Sequence, residues 1–385
     1  MKKHLIAAAV AAAVAAPAMA QNVTISGVFD TTAISTSKLE TQAAAGGVVI
    51  SDDTSQTAQD GRWATSEIVF SGTEDLGGGL KAGFRLATGL NGGTSTFADR
   101  DRFLQLEGSM GRVQFGRINP AAATGYHGFT AATTNAAGTT YILANDGATN
   151  GGAMFGPQTG GNFERSGSNT VQYTSNTFDG FQINASYSVN SRDQSNADRT
   201  GETEAKQMGL HLGYSNGPLS LGIAANKRNV DTESAPVVPQ VNPGNAGTAA
   251  VNQSEVEADL RWVAGSYNLG PATVGLAYIT RESSTTDNAG VNAVNGDSKV
   301  SVVALTVPMG AATFRASYYT GSNAATIANN DDLDLQGYQL SVNYALSKRT
   351  SLYGVMGAAK TERAGANVGA SRDYTSNAIG ITHTF

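Results

Sequence analysis

Apolar side chains recur at every second position in segment after segment of this chain, and no other feature limits its fold so tightly. Phe181, Ile183, Ala185, Tyr187 and Val189 alternate with Gln182, Asn184, Ser186 and Ser188. Tyr338, Leu340, Val342, Tyr344 and Leu346 alternate with Gln339, Ser341 and Asn343; Met208, Leu210, Leu212 and Tyr214 alternate with Gln207, Gly209, His211 and Gly213. The final segment sets Ile379, Ile381, His383 and Phe385 on one side. A period of two with one apolar face is that of a strand with oil on one side and water on the other. The polar partners are mostly small or uncharged, as a water-filled interior would favour.

The connections alternate as well. Tight turns occur at Glu74-Asp75-Leu76-Gly77-Gly78-Gly79, Asn216-Gly217-Pro218, Leu269-Gly270-Pro271, Pro308-Met309-Gly310 and Ser347-Lys348-Arg349. Longer polar stretches lie between them, roughly at 33–61, 119–167, 230–256, 283–297 and 321–334. Short turns at one end and long loops at the other are the plan of an outer-membrane barrel, and the spacing predicts about sixteen antiparallel strands. In hydrocarbon each unpaired backbone group costs several kcal/mol, so such a sheet must close on itself. Closure would pair residues 22–30 with 373–385, and the terminal Phe385 is the kind of signal that barrel-assembly machinery reads.

The first twenty residues read as an export signal. Lys2, Lys3 and His4 precede an apolar run from Leu5 to Ala16, and Ala18-Met19-Ala20 is a small-x-small cleavage site. That run is too short to span a bilayer as a helix, which takes roughly 20 residues. The signal is therefore residues 1–20 and a single barrel domain follows at 21–385. Losing two lysines and no acid takes the formal charge from −6 to −8. With no basic run, nucleic acid is excluded as a partner. Cysteine is absent; a barrel bonded strand to strand needs no disulfide.

The stretch SEIVFSGTEDLGGGLKAGFRLATGLN from Ser66 resembles the second hairpin of a known family, the trimeric general porins of beta-proteobacteria and Neisseria. DRFLQLEGSMGRVQFGR from Asp101, NTVQYTSNTFDGFQINASYS from Asn169, YALSKRTSLYG from Tyr344 and the closing AIGITHTF are similar to successive hairpins of the same family. The resemblance covers nearly the whole mature chain and lapses in the loops. It implies a homotrimer in the outer membrane, in contact with lipopolysaccharide, passing small polar solutes by diffusion. It also implies a third extracellular loop, here residues 119–167, folded into the lumen as a constriction.

A diffusion channel selects through fixed charges around a narrow water path. The resemblance implies a basic wall cluster, but Glu67 and Ser71 stand at two positions where the family usually carries a cation. Arg100, Arg117 and approximately Arg165 remain basic at matched positions. The third loop carries few charges, among them Asp146, Glu164 and Arg165. Alternation alone puts Glu67, Val69 and Ser71 on the lumen side, with Lys81 and Arg85 across the turn. Counting outward from that turn sets Glu67 nearly opposite Arg85, within reach of a cross-strand pair. Alternation also nominates Arg261, between Leu260 and Trp262, and Arg315, between Phe314 and Ala316, because a charge facing mid-membrane lipid costs about 2–4 kcal/mol. A weak anion preference follows.

No cofactor is expected. Asp52-Asp53 and Asp331-Asp332 with Asp334 read as solvated loops, with a divalent cation bridging to lipopolysaccharide phosphates as the sharper alternative. Three other functions compete on the same residues. An outer-membrane hydrolase would need clustered nucleophilic machinery, yet the mature chain has only His127, His211 and His383 and no Gly-x-Ser-x-Gly elbow. A solute-specific channel would need a lumen aromatic track, whereas the large aromatics fall mostly on the lipid parity, Tyr319 excepted. An adhesin or phage-receptor role of the loops is compatible with diffusion.

Overall fold

The computed structural model describes residues 23–41, 49–58, 63–90, 100–119, 121, 169–190, 203–233, 253–287, 292–323, 333–363 and 371–385. Its strands are β1 (Thr24–Thr41), β2 (Val49–Ala58), β3 (Glu67–Gly77), β4 (Leu80–Gly89), β5 (Arg102–Gly108), β6 (Gly111–Arg117), β7 (Thr170–Thr174), β8 (Phe181–Asn190) and β9 (Thr203–Asn216). They continue as β10 (Leu219–Glu233), β11 (Gln253–Asn268), β12 (Thr273–Asp287), β13 (Asn292–Met309), β14 (Ala312–Asn323), β15 (Leu333–Ala345), β16 (Thr350–Arg363) and β17 (Ser371–Thr384). Every neighbour pairs antiparallel, and β1 pairs with β17 from Val28↔Thr384 to Thr41↔Ser371. The ring is therefore closed.

Seventeen segments make sixteen wall positions, because β2 and β3 share one. The loop-side half of β1 pairs with β2, from Thr41↔Val49 to Thr32↔Ala58. Its first residues pair with β3, from Val28↔Glu67 to Thr24↔Ser71. Residues 63–66, just ahead of β3, lie outside the ladder. At the seam, Gly27 and Phe385 exchange both backbone hydrogen bonds, at 3.0 and 3.1 Å. A Cβ on Gly27 would sit 2.5 Å from Cζ of Phe385, so the missing side chain makes the seat for the last ring.

The short connections fall at one rim. The β3–β4 turn needs three successive residues with positive φ, and Gly77, Gly78 and Gly79 supply 84°, 62° and 82° at little steric cost. Asp75 Oδ1 accepts a 2.8 Å hydrogen bond from the Gly77 N–H. At the opposite rim the strands run further than the apolar pattern reaches. The stretch read as a loop at 33–61 is largely strand, since β1 continues to Thr41 and β2 begins at Val49. Likewise β10 ends at Glu233 and β11 begins at Gln253; β12 and β13 are separated only by 288–291, and β14 and β15 by 324–332. Above the bilayer both faces meet water, so the ladder persists while alternation, the signal used to find strands, disappears.

The two faces are unmistakable. Large exposed apolar residues lie on one parity throughout, among them Leu212, Ile223, Val263, Leu276, Val303, Leu305, Leu340, Met356 and Ile379. Exposed aromatics accompany them toward the turn rim (Tyr173, Phe181, Tyr267, Tyr344, Phe385) and higher up (Tyr187, Tyr278, Tyr318, Tyr338). Two aromatic levels flanking an apolar belt are the outer surface of a membrane barrel. The opposite parity faces the lumen.

Candidate functional site

The inner face of β3, β4 and the start of β5 gathers the first charges. Arg85 stands opposite Ser71, and Glu67 stands opposite Gly89, so the two are offset along the strands rather than facing. Long side chains bridge the offset: Arg85 Nη2 donates to Glu67 Oε1 at 2.9 Å. A second carboxylate, Asp101, holds its Oδ2 3.8 Å from Arg85 Nε. All three side chains are about a quarter to a third exposed, so the pairing is partly screened and contributes on the order of 1 kcal/mol. Arg100 joins them. Its guanidinium lies against Gly89, where a Cβ would come within 2.7 Å of Arg100 Nε.

Next to this group the chain enters the lumen. Beside residues 63–66, Asp30 of β1 has no ladder partner on its β2/β3 side, and its side chain takes over. Asp30 Oδ2 accepts the backbone N–H groups of Trp63 at 2.8 Å and Ala64 at 2.6 Å. Ser66 Oγ donates to the Asp30 carbonyl at 3.1 Å and accepts the Asp30 N–H at 3.0 Å. Asp30 Oδ1 accepts the Tyr353 hydroxyl at 2.8 Å, and the hydroxyls of Tyr353 and Thr32 share a hydrogen bond. Buried backbone groups that leave a sheet must find partners elsewhere, and one carboxylate with one hydroxyl provides them. Trp63 then stacks on Tyr353, with ring centroids 4.9 Å apart and planes 21° from parallel. The Arg315 guanidinium carbon lies 5.5 Å from the Trp63 centroid, in cation–π range. The excursion thus passes inside β1 and β17 to touch β16 and β14. Gly380 of β17 makes this fit, because a Cβ there would run into the Tyr353 ring.

The remaining wall divides in two. From β5 to β9 the inner face is mostly uncharged and polar: Gln105, Gln114, Gln172, Asn184, Ser186, Ser188, Gln207 and His211. Asn184 Nδ2 and His211 Nδ1 lie 3.0 Å apart. The chain after β6 has reached this wall by Ala121, whose N–H donates to Ser186 Oγ at 3.0 Å. From β10 to β14 the inner face carries an apolar cluster, with Trp262, Ile279, Val300, Val302 and Tyr319. Across the central part of that arc the inward positions carry Arg228, Arg281 and Arg315 and, among the described residues, no carboxylate.

Two of the sequence-selected cations fall elsewhere. Arg261 faces outward, not into the lumen: it shares its parity with Val263, which is 51% exposed, while Trp262 is 3% exposed on the inner side. Leu260 and Trp262 are inward apolar residues, so the local pattern around Arg261 reads inside out. Its neighbours are Asp259 at 3.6 Å and Glu282 at 3.8 Å, beside Thr280 and above Tyr278, on the loop side of the belt. Arg117 pairs with Arg102 at the strand end and shares the parity of the exposed Phe115 rather than that of Gln114. Asp146 and Arg165, like most of the third loop, lie outside the described residues, as do Asp331 and Asp332. Asp52 and Asp53 belong to β2 rather than to a loop. Residues that alternation did not nominate for the lumen are Asp30, Trp63, Arg228, Trp262, Arg281 and Tyr353. Glycines on the adjoining strand were the readable hint, Gly222 beside Trp262 and Gly380 beside Tyr353, since an inward Gly makes room for a large neighbour.

A closed ring of strands, apolar outside and charged or amide-lined within, defines the class: an outer-membrane channel for diffusion. The chain belongs to the Gram-negative porin family, which it matches over residues 7–364. It is 28% identical, over 411 aligned residues and the whole of both chains, to outer membrane porin protein 32 of Delftia acidovorans. Among solved structures it is similar to an anion-selective porin from Comamonas acidovorans, with a TM-score of 0.61 and 21% identity over 95% of this chain and 100% of that one. The in-vitro folded outer membrane protein OmpT of Vibrio cholerae, in its trimer form, gives a TM-score of 0.60 at 15% identity over the same shares. At those identities the structural likeness is one of fold. The protein is an outer-membrane porin that lets ions and small hydrophilic solutes pass by passive diffusion, and its family and fold are those of a channel rather than an enzyme.

Proposed function

We propose that this porin works as a homotrimer with a mild preference for anions. The observation that carries the preference is the β10–β14 arc, where Arg228, Arg281 and Arg315 face the lumen without an inward carboxylate among the described residues. Across the lumen, Glu67 and Asp101 offset Arg85, and Asp30 spends its acceptors on backbone and hydroxyl donors. Net positive potential then remains on one wall, and low-dielectric walls focus it on the water path. Glu67 standing where relatives usually carry a cation keeps the preference mild. No step of catalysis and no cofactor belongs to this reading; residues 1–20 act as the export signal, Phe385 at the seam engages the assembly machinery, and the outer surface meets lipopolysaccharide.

A planar bilayer holding the purified protein in a tenfold gradient of potassium chloride tests it. The reversal potential should lie on the chloride side of zero, with closure in three steps. A potential on the potassium side would refute the anion preference, and single-step closure would refute the trimer.

A further inference from the structure

Arg315 is held differently from Arg85. Glu67 and Asp101 flank Arg85, but no carboxylate lies within 4.0 Å of Arg315 among the described residues, and its Nε and Nη1, both buried, have no hydrogen-bond partner there. The nearby carboxylate, Asp30, is occupied by Trp63, Ala64 and Tyr353. What fixes the guanidinium is the Trp63 ring, itself backed by Tyr353 and anchored by its own backbone N–H to Asp30. Arg315 and Trp63 are both half-buried on the lumen side, and because Nε and Nη1 are themselves covered, an anion must uncover them to pair with the fork.

We propose that Arg315 reads oxyanions in the channel wall, favouring small carboxylates over halides of equal charge, with Trp63 as the residue that positions its guanidinium. This rests on the anion preference given above and names the chemistry at one point of that wall. A guanidinium offers parallel N–H donors that match the two oxygens of a carboxylate, whereas a halide engages them one at a time. Stacking on an aromatic face restricts the fork to one plane and strips part of its hydration, which leaves less order to be lost when an anion pairs with it. The inward course of residues 63–66 explains why a tryptophan is there at all: an unbroken second strand would have kept it in the wall. Binding stays weak because the site is half open, and a channel needs a solute to leave as readily as it enters.

The test uses bilayers with the whole folded protein, first in a potassium chloride gradient and then with potassium acetate facing potassium chloride. Wild type is compared with R315K, R315Q and W63L, each checked for heat-modifiable mobility as a sign of a closed barrel. R315K should keep the chloride-over-potassium ratio and lower the acetate-over-chloride ratio by about two- to five-fold, the factor set by losing the stacked fork and not the charge. R315Q should lower both ratios. W63L should lower the acetate ratio alone. An R315K channel with the wild-type acetate ratio would overturn the proposal, and a W63L channel with that ratio would remove Trp63 from it. If wild type instead favours potassium, the general anion reading fails, while the acetate comparison still decides the role of Arg315.

Discussion

Removing the carboxylate of Asp30 should loosen the barrel at its interrupted strand, by an amount that two different substitutions can bracket. Asp30 is 0% exposed. Its Oδ2 accepts two backbone N–H groups, at 2.8 and 2.6 Å, and its Oδ1 accepts the Tyr353 hydroxyl at 2.8 Å. In D30A the charge leaves together with the acceptor, so no orphan ion stays behind; what stays is the pair of amide donors from Trp63 and Ala64. An unsatisfied buried donor costs about 1–3 kcal/mol, which gives about 2–6 kcal/mol for the pair. Relief of the buried charge pulls the figure toward the lower end. D30N keeps one oxygen for the amides and turns its NH2 toward Tyr353, whose hydroxyl still has Thr32 as a partner. That variant should cost about 1 kcal/mol, the difference between a charged and a neutral acceptor. Urea unfolding in lipid vesicles, followed by tryptophan emission, reads the order wild type, D30N, D30A. Trp63 and Trp262 are the two fluorophores, and only the first belongs to the excursion. D30A should also show noisier open-channel current as the excursion detaches. A D30A midpoint equal to wild type, or a D30N midpoint below that of D30A, would refute the account of the carboxylate as the clasp.

Other consequences can be measured with the same preparations. E67Q removes the partner of Arg85 and should raise the chloride-over-potassium ratio by about two-fold, the effect of one unit charge roughly 8 Å from an ion in water; an unchanged reversal potential would place Glu67 away from the ion path. R261Q lies on the outer surface and should leave the reversal potential unaltered, so a shift would contradict its outward assignment. G380A forces the Tyr353 ring aside and should lower stability by about 1–3 kcal/mol, the usual cost of overpacking; a wild-type midpoint would show that the ring can move freely.

How legible was this in the sequence? The membrane belt was, because oil and water on opposite faces impose a period of two, and Phe181–Val189 or Tyr338–Leu346 show it without interruption. The glycine turn at Gly77–Gly79 was legible for a similar reason, since three positive φ angles in a row admit little else. Arg261 misled because its strand is apolar on both faces: Leu260, Trp262 and Ala264 point inward while Val263 points to lipid, so parity cannot be taken from hydropathy alone. The loop-side strand ends were illegible because nothing there is apolar. The inward course of residues 63–66 was the largest omission. Asp60-Gly61-Arg62-Trp63-Ala64-Thr65-Ser66 has no period, and the partner that gives it meaning, Tyr353, is remote in the chain. The Glu67–Arg85 contact was within reach because it spans one hairpin, although its offset follows from a register that counting from the turn approximated.

The hydrogen bond between Asp30 and Tyr353 joins residues 323 positions apart, and it bears on when the pore acquires its shape. A hairpin made early can bring Ser66 to Asp30, but the platform beneath Trp63 and the cation above it arrive with the last strands to be laid down. Until the two ends of the chain meet, the inward fold has nothing to rest on. The bore of this channel is therefore decided in the same event that seals its circumference, and a ring assembled without its final staves would differ in calibre as well as in closure.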